Sequence, residues 1–174
     1  MKTTMTIAAA SAALLLGAGA APAHITLDPP EAAVGTTHKA VFRVPHGCAG
    51  AATSRLRIRI PEGVIGVKPM PKPGWELEKL HGTYAQPHDL YGTPVSEGVT
   101  EVAWSGDLPD DEYDEFALLA YLSSDLEPGT TLYFPVVQEC RDGSTARWIE
   151  IPTAGHDAHD HATPAPGLDL TAGR

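Results

Sequence analysis

Apolar residues in this chain recur at every second position or in short runs, and almost nowhere at the three-to-four spacing of a helix face. The stretch SRLRIRIP (54–61) is the clearest case. Leu56, Ile58 and Ile60 fall on one side of an extended strand, and Arg55, Arg57 and Arg59 on the other. HKAVFRVP (38–45) repeats the pattern with Ala40, Phe42 and Val44 on one face. GVIGVKP, WELEKL, VTEVAWSG, YDEFALLAYLS, TTLYFPVVQEC and TARWIEIP are further strand candidates. Only YDEFALLAYLS invites a helix, because Ala and Leu favour one; its aromatics and flanking turns predict a strand buried on both sides. PMPKPGW (69–75) carries three prolines and is an extended loop or edge. SGDLPDDEYDEF supplies a Gly-Asp turn and an acidic loop, and LEPGTTL a Pro-Gly turn. Many short strands at this spacing predict an all-β fold, a single antiparallel β-sandwich.

Two segments depart from the pattern. Residues 1–23 have Lys2, a short apolar run and a closing Ala21-Pro22-Ala23, the form of a cleaved secretory signal. The run is too short and too rich in Ala and Gly for a stable membrane span. The expectation is therefore a periplasmic or secreted protein that begins at His24 and does not associate with membranes after cleavage. After IEIP, residues 153–174 are mostly small and polar and read as a flexible tail, which leaves 24–152 as the folded domain.

Composition narrows the function. About 150 residues remain after cleavage, enough for one domain that buries roughly two-thirds of its unfolded surface. A formal net charge of −10 argues against nucleic acid, which requires basic surface. Cys48 and Cys140 are the only cysteines. In an oxidising compartment a disulfide is the first reading, and a copper(I) site built from both thiolates is its rival. No nucleophile elbow, zinc-protease helix, phosphate loop or dinucleotide fingerprint is present, so the chain is not expected to be an enzyme. The acidic run DLPDDEYDEF lacks the spacing and the glycine of an EF-hand and reads as a solvated loop.

The candidate chemistry lies with histidine. An N-terminal His24 offers a divalent metal its α-amine and imidazole Nδ1 in one chelate, and nitrogen donors of this kind suit copper(II). The amine titrates near pH 8, within easy reach of displacement by a metal. In the tail, HDAHDH groups His156, His159 and His161 with Asp157 and Asp160, a tract suited to weak metal capture. His38, His81 and His88 show no metal spacing.

Taken in order, AHITLDPPEAAVGTTHKAVFRVPHGCAG, KPMPKPGW, WSGDLPDDEYDEF, FPVVQEC and WIEIP resemble the YcnI-like family of exported bacterial copper-binding domains, from His24 to about Pro166. The resemblance implies an immunoglobulin-like or fibronectin-like sandwich. It also implies copper(II) held by the N-terminal histidine in a brace of amine and imidazole, with a glutamate from an early loop and a tryptophan beside the metal. The tryptophan corresponds to Trp148. The glutamate does not carry over, because the loop reads FRVPHGCAG; His46 is its nearest metal-capable residue and a possible third ligand. Trp75 and Trp104 read as core or rim residues.

The expectation is a copper(II)-binding protein that handles copper by acquisition, storage or delivery, with other exported or membrane copper-transport proteins as partners. Two alternatives stand beside it: a copper oxidase of the lytic polysaccharide monooxygenase type, and a metal-free extracellular interaction module.

Overall fold

The computed structural model describes residues 24–48, 50–152 and 161–173. The expected signal segment, His156 and His159 lie outside the described residues. Among the described residues the chain forms strands and no helix, as the alternation requires. One sheet has the order β1 (Thr26–Asp28), β3 (Thr37–Val44), β8 (Asp114–Leu122), β5 (Val64–Pro69). The second has the order β11 (Thr145–Trp148), β10 (Val136–Cys140), β4 (Thr53–Arg59), β7 (Thr93–Leu108), β6 (Glu76–Leu90). A smaller third sheet is β2 (Glu31–Ala33), β12 (Gly167–Thr171), β9 (Thr131–Tyr133). Neighbouring strands are antiparallel except β12 with β2.

The period-two positions fill the core. Ala40, Phe42 and Val44 from β3 are buried, as are Leu56 and Ile58 from β4 and Ile60 just beyond it. The arginines of β4 face outward, where Arg57 meets Glu101 at 3.0 Å and Glu139 at 3.4 Å. Trp104 is fully buried, its ring 5.5 Å from that of Phe116, and its Nε1 donates to the Met70 carbonyl. Phe42 packs edge-on against Phe134 at 5.5 Å, which joins the first sheet to the segment leading out of the third. Full burial of side chains this large contributes on the order of 1.5–3 kcal/mol each. Trp75 is the rim residue: half-buried, edge-on to Phe116 at 4.8 Å, over Gly106, where a Cβ would stand 2.4 Å from the indole.

Four features differ from the expectation. FALLAYL is a strand, but Leu119 is 43% exposed, so β8 is covered on both faces only around Ala117. TTLYFPVVQEC breaks into β9 and β10 at Phe134-Pro135, because Pro135 has no N–H for the ladder; its carbonyl accepts from Arg59 instead. WELEKL extends into a long hairpin, β6–β7, whose register shifts at Leu80/His81 and Thr83/His88 hide it from any simple period. The hairpin closes on Tyr91-Gly92 with φ of 53° and 84°, the paired positive angles a two-residue turn demands.

The fourth is a correction. The segment after Pro152 is not a flexible tail throughout: β12 buries Leu168 and Leu170 completely or nearly so, between β2 and β9. The folded domain therefore runs to Thr171. Average composition concealed it, because two leucines at alternate positions suffice once a slot between two strands exists.

Candidate metal centre

The register of β1 on β3 sets Thr26 opposite Arg43, so His24 lies at the end of β3, where the chain enters the 45–52 loop. Cys48 and Cys140 form a disulfide that pins this loop to β10, with Cα atoms 6.1 Å apart. Both thiols are consumed by that bond, so the copper(I) dithiolate reading does not describe this form. Closing a 92-residue separation contributes roughly 4–5 kcal/mol by the loop-entropy argument. Gly47 is required in the loop: a Cβ there would lie 2.3 Å from the Ala51 carbonyl oxygen and 2.8 Å from the Asp110 Cα.

Gln138 organises the same region. It is 1% exposed and faces inward at an alternate position of VVQEC. Its amide nitrogen donates to Thr53 Oγ1 at 2.6 Å and to the carbonyls of His46 at 3.0 Å and Gly47 at 3.3 Å. Its Oε1 accepts from Trp148 Nε1 at 3.1 Å. One buried amide thus couples the His46 loop to Trp148. Sequence reasoning missed Gln138, although a polar residue at an inward strand position is the signal that finds it.

Trp148 is buried and is part of the core, and the His24 ring lies edge-on to it at 5.9 Å with a 60° interplanar angle. His46 lines a cavity of about 350 Å³ with Trp148, Gln138 and Ala146. His24 lines a different cavity of about 250 Å³ with Leu27, Pro30 and the segment Pro164–Gly167. The fold therefore brings both histidines to Trp148 but opens them into separate cavities.

His46 Nδ1 is 2.6 Å from the Gly47 carbonyl; as a donor there, it leaves Nε2 with the lone pair. His161, expected in a free tail, is held instead beside Glu150, with Nδ1 3.8 Å from Glu150 Oε2. The Nε2 atoms of both His24 and His161 are buried without a hydrogen-bond partner. Among the described residues no three His, Cys, Asp or Glu side chains stand together to hold a metal. A centre at this end of the molecule therefore needs a main-chain donor, and the α-amine of a chain beginning at His24 is one.

The other histidines are occupied or inert. His88 is 3% exposed and sits between Glu62 at 2.7 Å and Asp125 at 3.0 Å, so both ring nitrogens have partners. Burial alone would lower its pKa, but hydrogen bonds to Asp125 and Glu62 outweigh that and hold it above the ordinary value. His38 is buried without such partners, and desolvation holds its pKa below the ordinary value. His81 lines a distant cavity with Tyr84 and Glu97.

Residues 24–170 match the family described as Domain of unknown function (DUF1775), which is the YcnI-like family. The chain belongs to that family. The match starts at His24 and ends within β12, so the family's domain includes the strand that composition had assigned to a tail. The fold is also that of an uncharacterized protein from Nocardia farcinica whose crystal structure reveals an immunoglobulin-like fold. The two are 25% identical with a TM-score of 0.65, over 85% of this chain and 98% of the other. No curated protein matches the chain.

Proposed function

We propose that this YcnI-like protein is an exported copper(II)-binding protein that handles copper outside the cytoplasm, by acquisition, storage or delivery to other exported or membrane copper-transport proteins. The observation that carries the reading is the contact of His24 with Trp148, since a residue two before β1 has no need of a buried aromatic from β11. In a chain cleaved after Ala23, the amine and Nδ1 of His24 close a six-membered chelate on a metal. The Trp148 ring fixes the imidazole and excludes water on one side. The nitrogen donors suit copper(II), whose binding supplies the protein with a cargo rather than a reaction. The disulfide supports an oxidising compartment.

The test is a copper(II) titration of the chain beginning at His24, read by electron paramagnetic resonance, beside the same chain acetylated at its α-amine and beside His24→Ala. The expected result is one tight equivalent with nitrogen hyperfine structure. Affinity should fall between about 10²- and 10⁴-fold in both altered proteins, the range expected when one arm of a chelate is lost. Binding indifferent to both changes overturns the brace, and affinity no better than millimolar in all three favours a metal-free interaction module.

A further inference from the structure

We infer that His161, on the segment that returns after the His/Asp tract, supplies the third nitrogen to the centre at His24, with Glu150 as the residue that positions it. The inference rests on the copper reading above.

The returning chain is locked in place. The Glu150 N–H donates to the Thr163 carbonyl at 3.1 Å, Ala165 N–H donates to the Glu150 carbonyl at 2.8 Å, and Thr163 N–H donates to Glu150 Oε2 at 2.9 Å. Glu150 and Pro164 form an isolated parallel bridge, so the chain continuing from Trp148 and the chain arriving from His161 run side by side. Pro164–Gly167 then lines the same cavity as His24. Three residues separate His161 from Pro164, at most about 11 Å of extended chain, so the imidazole is tethered within reach of that cavity.

The ring itself has the form of a waiting ligand. Its Nδ1 faces the Glu150 carboxylate at charge-pair distance, which favours the tautomer with a proton on Nδ1. The lone pair then resides on Nε2, the atom that is buried with no partner. A carboxylate behind one ring nitrogen and an unsatisfied second nitrogen is the arrangement metal-ligating histidines adopt. An imidazole nitrogen left dry and unpaired costs roughly 1–3 kcal/mol, which a bound cation would relieve. His88 provides the internal contrast, because its two carboxylates use both nitrogens. His46 is the competing third ligand, yet it opens into the cavity that does not include His24.

The test uses the full-length mature chain, not a truncation, since β12 lies beyond this segment. His161→Ala, His161→Gln, Glu150→Gln and His46→Ala are each made with His156 and His159 already replaced by Ala, so that neighbours cannot substitute. Copper(II) affinity and the number of nitrogens in pulsed and continuous-wave electron paramagnetic resonance are read, with thermal melts of the metal-free proteins to certify folding. The expected result is loss of one imidazole nitrogen and a fall in affinity of about 10- to 100-fold for both His161 variants, with a smaller fall for Glu150→Gln. His46→Ala should change neither reading. Unchanged nitrogen count in both His161 variants overturns the inference, as does loss of the nitrogen in His46→Ala instead. In either of those cases tight, amine-dependent binding by the parent chain leaves the brace standing. A parent chain that does not bind copper tightly fails the copper reading itself.

Discussion

Two histidines mark opposite ends of strand β4 and have been treated in opposite ways. Beyond its far end, Glu62 joins Asp125 around His88, and every polar atom of that buried imidazole is used. Before its near end, the loop at His46, the edge of Trp148 and the ring of His24 meet around cavities, and two imidazole nitrogens in the neighbourhood remain unpaired. The lesson is that burial of a histidine says little by itself. A satisfied ring is a structural clamp, whereas an unsatisfied one held rigidly beside a tryptophan is a place prepared for something else.

The largest effect that sharpens this contrast comes from Cys48→Ala/Cys140→Ala. Unfolding should cost roughly 4–5 kcal/mol less in denaturant titrations, because the chain between the cysteines regains its freedom. The loosening should be confined to the His46 loop in hydrogen exchange, leaving amides near His88 protected. Equal loss of protection at both ends would break the idea that they are independent.

Trp148→Phe comes next. It preserves most of the apolar volume but strands the Gln138 Oε1, for an expected loss of about 1–3 kcal/mol. The fold should survive, with a changed copper spectrum. A loss near zero in unfolding experiments would mean that Gln138 finds another donor and that Trp148 does not depend on it.

The smallest effect is expected for His88→Gln, on the order of 1–2 kcal/mol near pH 6, discounted because both carboxylates are half exposed to solvent. Its sign with pH is the more telling measurement. His88 has a raised folded pKa, so its contribution is complete below about 6.5 and is lost as pH rises through the folded value. Glu62 and Asp125 have lowered values, so theirs is present above about 4 and lost as pH falls through the folded values. Burial would push Glu62 upward, but hydrogen bonds from His88 and the backbone prevail; for Asp125, the bonds from His88 and Ser123 lead. The stability difference between the parent and His88→Gln should therefore be largest between about pH 4.5 and 6.5 and shrink towards pH 9. His38, whose pKa desolvation lowers, acts in the opposite sense in both proteins and cancels in the difference. A difference that grows with pH would overturn the clamp.

Much of the fold was legible from local pattern. The alternation in SRLRIRIP and HKAVFRVP placed Leu56, Ile58, Phe42 and Val44 inside before any coordinates, because side chains on a strand change face at every residue. The long β6–β7 hairpin was not, since its bulges interrupt the period that would have revealed it. Nor was β12, whose burial depends on a gap between β2 and β9 that arises only when distant parts of the chain meet.

The site divides along the same line. Sequence alone determined the strand-rich class, the acidic surface, the pair of cysteines and the position of His24 directly after a signal-like cleavage motif, all of them properties of residue type and near-neighbour order. Tertiary structure decided that His24 lies against Trp148, that Gln138 ties Trp148 to the His46 loop, that His46 opens into a separate cavity, and that His161 is held by Glu150 rather than left in a tail. Those relations depend on strand order, on register and on the path of the returning chain, which emerge only when the sheets pack together.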